Sequence, residues 1–380
     1  MMEILRATLR YIYAFIITPW LLSQFLLDIT LCLVPWFRPS KQWSLNQAVR
    51  VRVVKLLLLY WSLTKYGDRL KLDPGREKNR FEVAVPRSPK LYNGVLSDYV
   101  VQPAPVGMTW TPARPPPAGL VNSEMSVVLH FHGGAYVIGN GRDEDTGYLA
   151  KTLIKHMGCT HVCTPQYRLS SSTKGHYPAP LQDALTAYLY LVKTRGIPGS
   201  QIILSGDSAG ANLALALVRY ISEHGQSDEI PFPRAMALWS PWVDVAGALE
   251  QDVKQSPNYK TDYLNTHFAR WGATTISSFG GTDPAGPYLS PLRNPFRLEK
   301  PLPVYVNAGG GEVLCDDIRS FCQRYEKHGW EISLDVSAAC PHDILLLGDR
   351  IDFAADAELA AANAKNFLNR SAGLNLRSYV

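Results

Sequence analysis

Residues 201–220, QIILSGDSAGANLALALVRY, decide the fold of this chain. The first five residues form a short apolar run typical of a buried strand, and Ala211–Tyr220 has the apolar spacing of a helix. Between them lies Gly206–Gly210, GDSAG, whose glycines allow a tight turn with strained dihedral angles. The sequence therefore predicts a strand that passes directly into a helix, with Ser208 exposed at the turn.

Strands and helices also alternate on both sides of this unit. Further strands are predicted at 127–131, 160–167, 235–239, 304–307 and 331–336, and further helices at 181–193, 318–328 and 354–368. Such alternation produces parallel strand pairing through right-handed crossovers. We therefore expect an α/β protein whose sheet is covered by helices on both faces.

Ser208 is the candidate nucleophile. A serine hydroxyl reacts poorly at its free pKa and needs a neighbouring base and an accessible position. The start of the helix also places unpaired N–H groups, such as that of Ala209, beside the hydroxyl. A Gly-Ser turn without chemistry is the alternative, and the strand–turn–helix setting argues against it.

A second candidate element follows the strand at 127–131. His132-Gly133-Gly134-Ala135 can turn its backbone amides towards one point, which the oxyanion of an acyl transfer requires. We expect the N–H groups of Gly133, Gly134 and Ala135 to form an oxyanion hole together with that of Ala209. His132 is interpreted as a residue that holds the turn by hydrogen bonding.

The candidate base is His342, in the sequence Cys-Pro-His-Asp that follows the last predicted strand. Loops after the carboxyl ends of parallel strands carry functional groups in open sheets. His267 and His328 also lie late in the chain, but His328 is beside a predicted helix end. His130, within a strand, is interpreted as structural.

The candidate acid lies between nucleophile and base in the chain, the order expected for this strand–turn–helix arrangement. Glu312 is the first carboxylate after the strand at 304–307, and we favour it as the group that orients the imidazole. Asp316 is the alternative acid. Asp316 and Asp317 fall where a helix is expected to begin, and a carboxylate there also stabilises the helix dipole.

Six motifs together resemble the hormone-sensitive lipase family of α/β-hydrolases, which includes arylacetamide deacetylase and the fungal steryl acetyl hydrolases. The motifs are HGGA at 132–135, YRLS at 167–170, PAP…D at 178–183, GDSAGANLA at 206–214, GEVLCDD at 311–317 and PHD at 341–343. The resemblance covers about residues 127–367. It implies an α/β-hydrolase fold with a mostly parallel central sheet, helices on both faces and a helical cap.

The resemblance also implies a catalytic triad of Ser208, Glu312 and His342. The implied activity is that of a serine carboxylester hydrolase, an esterase or deacetylase that forms an acyl-enzyme with a small lipophilic ester and needs no metal or cofactor. Ala135 stands where the family usually has a third glycine, and Glu312 where it usually has aspartate. An acyltransferase using the same triad and a non-catalytic ligand-binding protein are the rival hypotheses.

The expected domain organisation has three parts. Residues 1–40 form a hydrophobic membrane-anchor segment, residues 41–120 contain cap helices and an irregular proline-rich connection, and residues 121–380 form the catalytic domain. The resemblance implies a cap insertion at about 245–290. Aromatic residues suited to an apolar pocket, or to ordinary packing, occur there and just before it: Trp242, Tyr259, Tyr263, Phe268, Trp271 and Phe279.

The N-terminal segment predicts membrane association. Residues 11–27 carry no charge, a second apolar stretch follows at 29–37, and a spanning helix needs about 20 apolar residues. Asp28 disfavours a spanning helix, so a helix pair packed on the body is the alternative. Residues 45–63 could likewise lie on lipid or over a substrate pocket. The sequon at 369–371 is consistent with a luminal body, which makes the endoplasmic reticulum the candidate location.

Composition excludes several classes of protein. Hydrophobic residues make up 46% and charged residues 19% of the chain, which is incompatible with general disorder. A formal net charge of +5 without a basic stripe gives no indication of nucleic-acid binding. The six cysteines are too few for a disulfide scaffold and lack zinc-ligand spacing.

Overall fold

The computed structural model describes residues 2–67, 70–172, 174–225, 229–277, 282–298 and 300–377. Within these ranges the chain forms one eight-stranded sheet. The strands are β1 Phe81–Ala84, β2 Val106–Thr111, β3 Val127–Phe131, β4 His161–Pro165, β5 Ile202–Asp207, β6 Ala235–Trp239, β7 Val304–Gly309 and β8 Ile332–Ser337. The α-helices are α1 Met2–Cys32, α2 Leu45–Thr64, α3 Asp143–Thr152, α4 Ala179–Leu189, α5 Ala209–His224, α6 Gly247–Glu250, α7 Thr266–Ser277, α8 Cys315–Lys327, α9 Ile344–Ile351 and α10 Ala354–Arg377.

The strand order is β1-β2-β4-β3-β5-β6-β7-β8. Pairing is antiparallel from β1 to β2 and from β2 to β4, and parallel between all later neighbours. The expected α/β class with a mostly parallel sheet is therefore confirmed. The carboxyl ends of β5, β6, β7 and β8 lie side by side, which brings the segments that follow them to one edge.

The two faces of the sheet bury different sets of side chains. Val127 and Leu129 of β3 belong to a core that includes apolar residues of α4, α5 and α8. Val128, between them, belongs to a second core with residues of α3 and α10. This alternation is the period of two expected of a strand, and it explains why β3 reads as a continuous apolar run.

The proline-rich stretch before residue 121 does more than connect. It contains β1 and β2, so the prediction of an irregular connection over 41–120 was incomplete, and the sheet begins well before residue 121. β2 is buried along its whole length between β1 and β4. Its short sequence, VGMTWT, carries a glycine and lies among prolines, and only pairing with both neighbours makes it a strand.

The N-terminal helices form a hairpin on the body. Arg52 of α2 pairs with Asp28 of α1 at 3.3 Å, while Arg10 near the start of α1 lies in a cavity with Lys65 at the end of α2. The two helices therefore run antiparallel. One helix of the described residues, Arg10–Cys32, is long and apolar enough to cross a membrane, and little of it is buried.

The second helix is fixed over the carboxyl edge of the sheet. Ser44 and Gln47 form a reciprocal capping box at the start of α2, with distances of 3.1 and 2.8 Å. Along its length α2 contacts α7 and α9, and α7 in turn contacts α6. A helical layer of α2, α6 and α7 thus covers the site where the strands end.

The aromatic residues, the cysteines and the sequon considered from the sequence can also be located in the structure. Trp242, Tyr263, Phe268 and Trp271 are buried, Tyr259 is half-buried, and Phe279 lies outside the described residues. All six cysteines are buried free thiols. The sequon at 369–371 is within α10, and the buried side chain of Ser371 does not favour modification of the folded chain.

Candidate active site

The turn after β5 holds Ser208 in a strained conformation, with φ 51° and ψ −116°. A Cβ atom on Gly206 would lie 2.3 Å from the carbonyl carbon of Gly210, and one on Gly210 would lie 1.9 Å from the carbonyl oxygen of Phe131. Both glycines are therefore required by close backbone contacts. The Ser208 N–H donates to the Trp239 carbonyl at 2.9 Å, which fixes the turn against β6.

His342 and Glu312 form a buried hydrogen-bonded pair. Nδ1 of His342 lies 2.6 Å from Oε2 of Glu312, and the Gly309 N–H donates to the other carboxylate oxygen at 2.9 Å. Burial alone lowers the pKa of His342, but the hydrogen bond and charge of Glu312 outweigh burial and raise that pKa above its ordinary value. The carboxylate therefore holds the imidazole in one orientation and favours its protonated form.

Ser208 and His342 line the same cavity, which has a volume of about 350 Å³. Gly133 and Gly134 also line it. The alternative acid, Asp316, is exposed on the first turn of α8 and, within the described part of the chain, forms no hydrogen bond with His342. Of the two carboxylates considered from sequence, Glu312 is the one in contact with the imidazole.

The loop after β3 contains glycines at positions where the backbone or its neighbours leave no room for a side chain. A Cβ on Gly133 would lie 2.2 Å from Oδ2 of Asp207, and Gly134 has φ 102°. Ala135 adopts φ 53°, a left-handed conformation that costs an L residue about 1–2 kcal/mol. The loop is thus bent and passes close to Ser208, because a Cβ on Gly133 would lie 3.2 Å from the Ser208 Cβ.

The amides of this loop differ in their partners. The Gly133 amide stabilises the charged form of the Asp207 carboxylate. The N–H groups of Gly134, Ala135 and Ala209 have no protein acceptor within the part of the chain that the structure describes. These three amides are consequently available to an oxyanion, and the Gly133 amide lies close to the Asp207 carboxylate.

His132 supports the loop. Its ring stacks on that of Tyr167 with centroids 4.3 Å apart, and its Nδ1 lies 2.8 Å from the Gly133 carbonyl oxygen. The Tyr167 hydroxyl donates to the His132 carbonyl at 2.6 Å. This arrangement matches the turn-holding role expected for His132.

His130 belongs to a directed hydrogen-bond chain beneath the nucleophile turn. The Trp239 indole N–H donates to the Ser205 hydroxyl at 3.0 Å, which lies 3.0 Å from Nδ1 of His130. Nε2 of His130 lies 2.8 Å from Oδ1 of Asp207. Burial lowers the pKa of His130 to about 4, so its neutral ring accepts at Nδ1 and donates at Nε2.

Asp207 and Asp343 form a buried carboxyl pair, which sequence analysis did not identify. Burial raises the pKa of Asp207 to about 6, and burial together with the Asp207 charge raises that of Asp343 well above its ordinary value. Oδ2 of Asp207 is buried without a well-formed hydrogen bond from a fixed donor of the described residues. A protonated Asp343 would be able to donate to this oxygen through Oδ2, while its Oδ1 accepts from the Leu346 N–H.

Asp262, another residue missed from sequence, connects the loops that carry Glu312 and His342. Its Oδ2 accepts from the Val313 N–H at 2.7 Å, and its Oδ1 lies 3.4 Å from the His342 N–H. Lys55 of α2 donates to the Asp262 carbonyl at 3.0 Å. Nothing in the local sequence distinguishes Asp262 from a surface aspartate, because its partners come from segments far away in the chain.

A second cavity is also lined by Ser208. Its volume is about 370 Å³, and its lining includes Ala135 and Trp242 beside the serine. Leu264 and Phe268 border both cavities. The Ala135 methyl packs towards Gly272 of α7, where an added Cβ would lie 2.7 Å from it. Ser208 therefore lines both cavities, with Ala135 in one of them and His342 in the other.

The fold of this chain is shared with known proteins. A family model described as an alpha/beta hydrolase fold matches residues 128–346. An acetyl-hydrolase of Streptomyces hygroscopicus is 31% identical over 55% of this chain and 64% of its own length. The versiconal hemiacetal acetate esterase of Emericella nidulans is 30% identical over 51% of this chain and 65% of its own length. This chain thus spans less than two thirds of either relative.

Solved structures show the same architecture. An esterase of the bacterial hormone-sensitive lipase family superposes with a TM-score of 0.58 at 24% identity, covering 92% of this chain and 98% of that one. The chain belongs to the α/β-hydrolase fold family.

Proposed function

We propose that this protein is a serine carboxylester hydrolase whose triad is Ser208, Glu312 and His342. The observation that carries the proposal is that the strained Ser208 shares a cavity with a buried His342–Glu312 pair. The relatives named acetyl-hydrolase and acetate esterase support it. The match covers only part of those relatives, so the geometry is the stronger argument.

The proposed reaction has two halves. Ser208 Oγ attacks the ester carbonyl carbon while Nε2 of His342 takes the hydroxyl proton, and the Gly134, Ala135 and Ala209 amides stabilise the oxyanion. The bond to the alcohol oxygen then breaks, and that oxygen receives the proton from His342. Water, deprotonated by His342, releases the acyl group as a carboxylic acid and restores Ser208.

The position of His342 indicates which cavity takes the alcohol. The leaving oxygen must lie within reach of the imidazole that protonates it, and His342 lines only the 350 Å³ cavity of the two. Apolar side chains of α2, including Val54, Leu58 and Trp61, line part of this cavity. We propose that it holds a lipophilic alcohol group, with the acyl group on the Ala135 side and the α2–α6–α7 layer as the cap.

Membrane attachment through α1 is part of the same proposal. Large apolar side chains of α1 that point away from the body are exposed, among them Phe15, Ile16, Trp20 and Leu26. Since α1 lies along α2, this surface would enter the interfacial region of a lipid layer with the helix lying in its plane. A lipophilic ester would then be available close to the cavity that α2 lines.

Covalent labelling tests the assignment of the nucleophile. A fluorophosphonate should react stoichiometrically with the folded protein, because it requires a serine activated by a base and an oxyanion hole. Peptide mass spectrometry should place the adduct on Ser208. No adduct, or an adduct at another serine, would contradict the proposal and favour a ligand-binding protein on this scaffold.

A larger side chain in the 350 Å³ cavity, here called the alcohol cavity, tests the proposed substrate class. Val54→Trp should fill much of the cavity and lower kcat/KM for 2-naphthyl acetate about tenfold or more, since misplacing a reacting group by an ångström can cost about a hundredfold. Ethyl acetate, with its small alcohol, should be affected much less. The matched control is Val53→Trp, because Val53 is exposed and does not line the cavity. Equal losses for both esters would place the alcohol elsewhere.

A further inference from the structure

A third cavity lies at the end of the α1–α2 hairpin, apart from the residues assigned to catalysis. Its volume is about 670 Å³, and neither Ser208 nor His342 lines it. Basic side chains reach it from four segments: Arg10 of α1, Lys65 after α2, Lys254, and His267 with Arg270 of α7. Trp271 forms part of its wall, with its ring centroid 5.0 Å from the Lys65 ammonium nitrogen.

The charges in this cavity are unbalanced. Asp252 is the one carboxylate in its described lining, and the Thr266 hydroxyl and the Lys254 N–H already donate to it. Among the described residues, none of the four Lys and Arg side chains takes part in an ion pair. The cavity therefore gathers positive charge that an anion could neutralise.

The pKa values of two residues in this cavity reflect the same excess of positive charge. Burial, and then the charge of Arg10, lowers the pKa of Lys65 to about 8. Burial also lowers the pKa of His267, and the nearby charges of Lys254, Lys65 and Arg270 lower it further. These groups repel one another, which disfavours an empty cavity and favours an occupied one.

The surface beside the cavity identifies the occupant. Directly after Arg10, the side chains of Tyr11, Ile12, Phe15 and Ile16 on α1 are exposed. A partner must therefore present an apolar region with negative charge at its boundary. A phospholipid layer has this arrangement, and basic residues near its surface add about 1 kcal/mol each to binding. A nucleic acid or a soluble anion would leave the apolar face uncovered.

We propose that the Arg10–Lys65–Lys254–Arg270 cavity binds the phosphate of an anionic phospholipid head group while the outer face of α1 enters the lipid layer. The inference rests on the membrane-attachment part of the proposed function and is independent of the triad. It predicts an orientation in which the cap, with the alcohol cavity beneath it, is held at the lipid surface.

Vesicle flotation of the full chain, diluted from detergent, tests the proposal. The probes are vesicles of phosphatidylcholine alone and vesicles that also contain phosphatidic acid. We expect wild type to partition about tenfold more strongly onto the phosphatidic acid vesicles, and Lys254→Glu/Arg270→Glu to lose that preference. The control, Lys90→Glu/Lys300→Glu, changes net charge equally at exposed residues outside the cavity and should retain most of it.

Four outcomes would overturn the proposal. Equal partitioning of wild type onto both vesicles would show that anionic head groups contribute nothing to binding. An equal loss of the preference in the two double variants would indicate general charge attraction. Removal of the preference by soluble glycerol phosphate would indicate a site for free phosphate. Binding to neither vesicle would also overturn membrane attachment. Unfolding temperatures of the variants establish that they are folded, and fluorophosphonate labelling reports separately on the esterase assignment.

Discussion

Replacing His342 with glutamine should lower kcat for a short ester about a millionfold, the scale seen when the base of a serine triad is removed. Glutamine cannot take the Ser208 proton or return it to the leaving alcohol. Glu312→Gln should cost about ten-thousandfold, because the amide stabilises neither the required tautomer nor the imidazolium. The double variant should be no slower than His342→Gln alone, since the buried pair acts as a unit.

The comparison with Asp316→Asn decides between the two carboxylates considered from the sequence. Asp316 is exposed at the start of α8, so its replacement should change kcat by less than tenfold. Steady-state turnover of p-nitrophenyl acetate measures all four variants. A greater loss for Asp316→Asn than for Glu312→Gln would assign the acid role to Asp316, and additive losses in the double variant would contradict a shared role.

Replacing Asp343 with alanine should have the largest effect on stability, about 1–3 kcal/mol for each buried polar group that it leaves without a hydrogen-bond partner. Asp207 would lose the donor to its buried Oδ2, and the Leu346 N–H at the start of α9 would lose its acceptor. Asp343→Asn should cost much less, because its amide can donate to Asp207 and accept from Leu346. The free energy of unfolding in urea measures both.

The same pair predicts a dependence of stability on pH. Folding raises the pKa of both carboxyl groups, that of Asp207 to about 6. Their contribution to the free energy of unfolding is therefore fully present below about pH 4, the pKa of aspartate in the unfolded chain. It is lost as the pH rises through the folded values. The stability of wild type relative to Asp343→Asn should therefore be greatest near pH 4 and decrease through pH 6 and above.

A nearby control separates this pair from general charge effects. Asp349 is exposed on the same helix, α9, and Asp349→Ala should change neither stability nor its pH profile appreciably. A pH profile for Asp343→Asn parallel to that of wild type would show that the two carboxyl groups do not share a proton. Equal losses for the alanine and asparagine variants would show that packing, and not the hydrogen bond, dominates.

The sequence was sufficient to predict those elements and site residues that depend on neighbouring positions in the chain. The nucleophile turn, the glycine loop at 132–135 and most sheet strands follow from short patterns, because turns and buried strands impose local demands on residue type. β6 was predicted at its observed bounds, Ala235–Trp239, and β5 and α5 differed from prediction by a few residues at their ends. Sequence order also limited the base and acid to a few candidates.

Helix α9 and the strand pair β1–β2 were not predicted. The eight residues of α9, ILLLGDRI, begin with an apolar run too short to distinguish a helix from a strand, and Asp343 caps the helix from a left-handed conformation. β1 has four residues and owes its existence to pairing with β2. Elements this short gain little from intrinsic propensity, so tertiary packing determines whether they form.

By itself the sequence determined the fold family, the candidate triad and the apolar character of the N-terminus. Only the tertiary structure placed Glu312 rather than Asp316 against His342, paired Asp207 with Asp343, and laid α1 along α2 beside a basic cavity. These relations join residues from separate loops and helices. Local patterns report what each segment can do, whereas contacts between distant side chains are fixed by the packing that brings those segments together.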